Sequence, residues 1–88
     1  MGYIYIIKND INDNVYIGQT ARDIAVRWKE HVRRMDSVID KAIHKYGVEH
    51  FWIEQIEECP NDELDSREKY WIQQYNSYNN GYNASTGG

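Results

Sequence analysis

Two runs of β-branched and aromatic residues open the chain, Tyr3-Ile4-Tyr5-Ile6-Ile7 and Val15-Tyr16-Ile17-Gly18. Between them lies the polar cluster Asn9-Asp10-Ile11-Asn12-Asp13-Asn14, whose residue types tolerate turn backbone angles. The pattern predicts a β-hairpin. A register in which position numbers sum to about 21 sets Tyr3 opposite Gly18, Tyr5 opposite Tyr16 and Ile7 opposite Asn14. Tyr5 and Tyr16 then stand side by side on one face, with Gly18 leaving space for something to approach. Packing alone also accounts for such a pair, because cross-strand aromatics stabilise sheets.

The period then changes to that of helices. Ile24, Trp28, Val32 and Met35 recur at helical spacing after Thr20, a candidate N-cap with Asp23 in the first turn. These four residues are the expected core face. Arg27, His31 and Arg34 form a neighbouring stripe at i, i+4, i+7. Ser37 is placed to cap a second helix that buries Ile39, Ala42, Ile43 and Tyr46 and stops at Gly47, with His44 structural or exposed. Phe51-Trp52-Ile53-Glu54-Gln55-Ile56 predicts a third strand, paired with the hairpin and ended by Pro60. Asn61 is then expected to cap a third helix, with Asp62 and Glu63 at the positive end of its dipole and Leu64, Trp71, Ile72 and Tyr75 facing inward. Residues 75–88, rich in Asn, Ser, Gly and Tyr, predict an irregular packed tail ending in Thr86-Gly87-Gly88. The expected architecture is α+β, an α/β sandwich: a small three-stranded antiparallel sheet flanked by three helices in the order β-β-α-α-β-α.

Glu68 breaks the last pattern. It lies four residues from both Leu64 and Ile72, so a carboxylate projects from the face that the helix buries. An unpaired buried carboxylate costs several kcal/mol, which leaves a salt bridge with an arginine such as Arg27, a place at the rim of the core, or a metal ligand.

At 88 residues the chain is expected to be one domain, residues 1–88, without a separate DNA-binding module. A single cysteine, Cys59, excludes an intrachain disulfide, and with the three histidines it shows no paired metal-ligand spacing. A reducing cytoplasmic setting is expected, with no membrane segment. The net charge of −4 is unevenly spread. Residues 22–45 carry seven Lys/Arg against four acids, a local +3, whereas residues 49–69 carry eight acids against two bases. A local basic face permits contact with nucleic acid, but the overall charge predicts weak binding by the isolated chain.

Taken in order, the polar groups resemble the GIY-YIG endonuclease family, most closely the homing-endonuclease group. Tyr3-Ile4-Tyr5 stands at the first signature and Tyr16-Ile17-Gly18 at the second, followed by Arg27 and His31 on the first helix, Glu68 on the third, and Asn83 within Gly81-Tyr82-Asn83. Tyr3 departs from the pattern, standing where the family name has Gly. The resemblance covers essentially the whole chain and implies metal-dependent hydrolysis of DNA phosphodiesters. It implies Tyr5 as general base with Tyr16 as rival, Arg27 stabilising transition-state charge, and His31 orienting or relaying a proton. It further implies Glu68 holding one Mg²⁺ or Mn²⁺, and Asn83 as hydrogen-bonding support. Gly18, Arg34 and Lys41 are candidate substrate contacts, although the last two also suit a solvated surface. A possible tethered DNA-binding domain or partner protein would compensate for weak affinity. The alternative is a non-catalytic nucleic-acid-binding or interaction domain with the same fold.

Overall fold

A computed structural model describes residues 1–87; Gly88, the end of the expected tail, lies outside the described residues. Three antiparallel strands, β1 (Gly2–Asn9), β2 (Tyr16–Thr20) and β3 (Phe51–Cys59), form a sheet in the order β2-β1-β3. As the central strand, β1 must bury both of its faces, which is why its apolar run is nearly continuous. Tyr5 and Ile7 face α1 (Ile24–Arg33) and α2 (Val38–Tyr46) in a core with Ile39, Ile43 and Phe51. On the opposite side Ile4, Ile6 and Ile17 pack with Leu64 and Ile72 of α3 (Leu64–Tyr75). The expected α+β sandwich is therefore present. A short fourth helix, α4 (Ser77–Asn80), lies within the tail that was expected to be irregular.

The hairpin register differs from the expected one by two residues. Tyr5 opposes Gly18, Ile7 opposes Tyr16 and Tyr3 opposes Thr20. A slip of two leaves every side chain on its expected face, so hydrophobic alternation does not distinguish the two registers. The connecting loop does. Asn9 stays in β1, where its Oδ1 accepts from the backbone N–H groups of Ile11 and Asn12 at 2.8 and 2.7 Å and its Nδ2 donates to the Asn14 carbonyl at 2.9 Å. These side-chain bonds organise residues 10–15 as one turn and set the longer connection.

β3 continues three residues beyond the apolar alternation that predicted it. Ile4 pairs with Glu57 but Tyr5 pairs with Gln55, leaving Ile56 as the extra residue of a β-bulge. The bulge reverses which parity faces which core: Ile53 joins the Tyr5 side, whereas Cys59 joins the Ile4 side.

Helix ends also differ in detail. Asp23 caps α1, its carboxylate accepting from the Ala25 N–H at 2.9 Å, while Thr20 Oγ1 accepts from the Arg22 N–H in the preceding turn. The expected capping box at Ser37 and stop at Gly47 are present, Gly47 adopting a φ of 105°. Asn61 begins a single 3₁₀ turn, Asn61–Glu63, that runs into α3 rather than capping it with its side chain. Of the expected inward positions, Met35 lies past the end of α1 and is exposed, and Tyr46 and Tyr75 keep 37% and 41% of their surface exposed. His31 is instead the buried residue of α1.

Candidate active site

The site begins at the missing side chain of Gly18. A Cβ built there would fall on the Cζ and Oη atoms of Tyr5. The phenol of Tyr5 therefore lies across the glycine of the neighbouring strand, in the space that a ligand was expected to use. Tyr16 stands diagonally beside it on the same face, with ring centroids 6.3 Å apart. Tyr5 is completely buried, whereas Tyr16 keeps partial exposure.

His31 reaches both phenols from α1. Its ring centroid is 5.9 Å from that of Tyr5 and 5.4 Å from that of Tyr16, edge-on in both cases. Its Nε2 lies 2.8 Å from Tyr5 Oη, and its Nδ1 lies 2.6 Å from Oδ1 of Asp40 on α2. Tyr5, His31 and Asp40 thus form a buried hydrogen-bonded chain across β1, α1 and α2. Burial depresses the His31 pKa, opposed by its bond to Asp40. Burial also raises the pKa of both phenols, with the neighbouring Tyr16 adding to the effect on Tyr5 and Glu68 adding to that on Tyr16; Arg27 pulls both back down.

Arg27 on α1 and Glu68 on α3 bring opposite charge to the same phenols, from helices packed on opposite faces of the sheet. Arg27, one turn before His31, donates to Glu30 Oε1 at 3.1 Å. Glu30 also takes two bonds from Arg22, at 2.8 and 3.0 Å, and lies 3.9 Å from Arg34. Hydrogen bonds from Arg22 lead in lowering its pKa, keeping it an anion among three guanidinium groups. Glu68 is only partly buried, consistent with a place at the rim of the core, and its charge acts on both Tyr5 and Tyr16. Gly87 of the tail lies against it, since a Cβ there would stand 3.3 Å from Glu68 Oε1.

Tyr5, Tyr16, Arg27, His31 and Glu68 are therefore one cluster drawn from four elements. Asn83 serves it from behind: its side chain accepts from Ile17 N–H and donates to Ile17 C=O, both at 2.9 Å. That pairing fastens the tail to the outer edge of β2, one residue from Tyr16. Arg34 reaches the cluster through Glu30, and Lys41 is exposed on α2 directly after Asp40. Tyr3, the departure from the family signature, lines a separate cleft of about 390 Å³ with Met1, Arg22, Ile24 and Glu58. None of the five clustered residues lines that cleft. The sequence reading missed Asp40 and Glu30 as partners. Asp40 carried one usable signal, an acid three residues after a capping Ser, but its second oxygen meets His31 only through the packing of α1 on α2.

Among the described residues, no three His, Cys, Asp or Glu side chains are grouped to share a metal ion. A single rim carboxylate beside polar hydroxyls instead suits a hard cation such as Mg²⁺, which keeps several waters and is often held by one or two carboxylates together with substrate phosphate. Glu68 fits that description. It does not suit a site needing several protein ligands.

An arginine, a histidine, a carboxylate and two phenols thus meet at one edge of a small α+β domain. The family model for the GIY-YIG catalytic domain matches residues 1–83, and the chain belongs to that family. It is 39% identical over 94 aligned positions to uncharacterized protein 019R of Invertebrate iridescent virus 6, covering 97% of this chain and 34% of that protein. It is 36% identical over 90 positions to intron-associated endonuclease 1 of Enterobacteria phage T4, covering 93% of this chain and 36% of the relative. The chain spans about a third of the length of these curated relatives. Among solved structures it is similar to the catalytic domain of intron endonuclease I-TevI, at a TM-score of 0.82 and 34% identity over 97% of this chain and 99% of that one. A mutant of the same domain gives a TM-score of 0.85 at 34% identity, covering 100% of this chain and 98% of the other.

Proposed function

We propose that this domain hydrolyses phosphodiester bonds in DNA, with Tyr5 as the proton acceptor for the attacking water. The observation that carries the proposal is the convergence of Arg27, Glu68, Tyr16 and the Tyr5–His31 pair on one edge of the sheet. An unperturbed phenol is ionised in about one molecule in a thousand at pH 7, and burial makes Tyr5 phenolate rarer still. A preformed phenolate is thus a poor base here. The His31 contact supplies another route: Tyr5 O–H gives its proton to Nε2 while Oη takes a proton from water. The water oxygen forms the new bond to phosphorus, the bond to the 3′ oxygen breaks, and solvent protonates that oxygen, leaving a 5′-phosphate and a 3′-hydroxyl. Tyr16, the more exposed phenol, orients the water or the phosphate.

Arg27 stabilises the charge that grows on the phosphoryl oxygens, a contribution whose loss typically costs about a hundred- to a thousandfold in rate. Nucleases of this family generally depend on a divalent metal. Glu68 would hold the ion, Mg²⁺ or Mn²⁺, which when bound neutralises phosphate charge. Asn83 keeps β2 and Tyr16 in place, and Gly18 keeps the Tyr5 phenol in place. Exposed Arg34 and Lys41 contact flanking phosphates. The −4 net charge makes intrinsic affinity low, so a tethered DNA-binding segment or a partner protein supplies local concentration.

Supercoiled plasmid incubated with Mg²⁺ or Mn²⁺ tests this function. Nicking by the unmodified domain is expected, with loss of at least about a hundredfold in Arg27→Ala and in Glu68→Gln while both stay folded. Undiminished nicking in both variants would overturn the assignment.

A further inference from the structure

Asp40 is buried and ionisable, and the reaction described above makes no direct use of it. Its two oxygens have separate partners. Oδ2 faces the Ser37 backbone N–H at 3.5 Å, while Ser37 Oγ accepts from the Asp40 N–H at 3.3 Å, the reciprocal pair that starts α2. Oδ1 faces Nδ1 of His31 at 2.6 Å. Starting the helix occupies only one oxygen. The second reaches across to α1 and binds an imidazole whose other nitrogen holds the Tyr5 hydroxyl.

We propose that Asp40 is a positioning residue that fixes His31 in the tautomer protonated on Nδ1, leaving Nε2 bare to accept the proton of Tyr5. An ionised carboxylate only accepts hydrogen bonds, so the nitrogen facing it must carry hydrogen. Neutral imidazole has one N–H, so Nε2 is then an acceptor and Tyr5 must donate. In the opposite tautomer, Nε2–H would donate to Tyr5 Oη and Nε2 would have no free lone pair to take the Tyr5 proton. The remaining charged or titratable groups around this imidazole are Tyr5 on β1, Tyr16 on β2, Arg27 and Glu30 on α1, and Glu68, which acts through the two phenols from α3. Asp40 is the group that stands at hydrogen-bonding distance from Nδ1. Once Nε2 has taken a proton, the same carboxylate lies against an imidazolium, so the residue that orients the ring also favours the proton transfer. Indirect partners of this kind commonly affect activity by about 10- to 100-fold, and a wrong histidine tautomer by up to about ten-thousandfold.

This inference rests on the nuclease reading for its catalytic consequence, but the tautomer is measurable without DNA. Nitrogen-15 spectra of the histidine rings at pH 7.5 are expected to show His31 protonated on Nδ1 in the unmodified domain, and a mixed or reversed state in Asp40→Asn. With plasmid substrate, Asp40→Asn is expected to lose at least about a hundredfold in kcat, with KM within about threefold and an altered pH–rate profile. Ser37→Ala, which removes the hydroxyl cap and leaves the His31 contact, is expected to lower the melting temperature while keeping the tautomer and kcat. An Nε2-protonated His31 in the unmodified domain overturns the proposal whether or not any variant folds. So does an Asp40→Asn protein with unmodified kcat and pH profile. Absence of cleavage by the unmodified domain would instead remove the nuclease reading, and the ring spectra would still decide the tautomer.

Discussion

Substituting Gly18 by alanine adds one carbon at the place where the phenol of Tyr5 crosses β2. The backbone at Gly18 does not have the positive φ that favours glycine, so the added methyl acts through sterics alone. It would meet Cε1 of Tyr5 at 2.8 Å and overlap Cζ and Oη, atoms of a side chain with no exposed surface. Overpacking of this kind typically costs about 1–3 kcal/mol. For a domain of this size that corresponds to a loss of roughly 5–20 °C in Tm. If the ring yields, Oη moves from Nε2 of His31, 2.8 Å away, and a displacement of about 1 Å in a reacting group costs on the order of a hundredfold in rate. Urea unfolding followed by tryptophan fluorescence gives the stability change, and plasmid nicking gives the rate. A second substitution isolates the cause. In a Tyr5→Leu background the same alanine has room, so its cost is expected to fall below about 0.5 kcal/mol, making the coupling between positions 5 and 18 at least about 0.5 kcal/mol. An alanine at 18 that leaves stability and nicking unchanged would refute the placement of the phenol, and equal costs in both backgrounds would refute the pairing.

Two further expectations concern charge. Glu30→Gln removes the anion shared by Arg22, Arg27 and Arg34, so DNA binding should tighten by severalfold at low salt while kcat falls because Arg27 loses its anchor; a drop in affinity would contradict the arrangement. His31 has a folded-state pKa below its ordinary value, so the unfolded chain binds its proton first as pH falls. The neutral form is matched in both states above about pH 6.5, and stability should decline below that by up to about 1.4 kcal/mol per pH unit until the folded pKa is reached. Urea midpoints from pH 7.5 to 5 test the sign, and His31→Gln should flatten the curve; a midpoint that rises on acidification would refute it.

The parts of this site that were legible in the sequence are those set by periodicity along one element. Tyr5 and Tyr16 share a face in any register that preserves strand parity, and Glu68 was conspicuous because it interrupts an apolar stripe. Arg27 and His31 fall one helical turn apart whatever α1 packs on. The choice between neighbouring stripes was not legible: only burial against Tyr5 shows that α1 turns His31 inward and leaves Met35 outside. The two-residue slip was hidden for a related reason, since it changes no side chain's face. The bulge at Ile56 concealed the last third of β3 by reversing the alternation there. Asp40 and Glu30 depend on contacts between elements or among several long side chains, which spacing does not encode.

Asn83 has a consequence beyond the position of Tyr16. β2 is an edge strand, and an uncovered edge offers N–H and C=O groups to any other extended chain. Ile17 gives both of its groups to the Asn83 side chain, and the Val15 carbonyl accepts from Tyr82 N–H at 2.9 Å, so the tail takes the place that a strand from a neighbouring molecule would occupy. Asn83 is in this respect a guard against self-association: Asn83→Ala should produce concentration-dependent aggregation during refolding before it produces any visible change of fold.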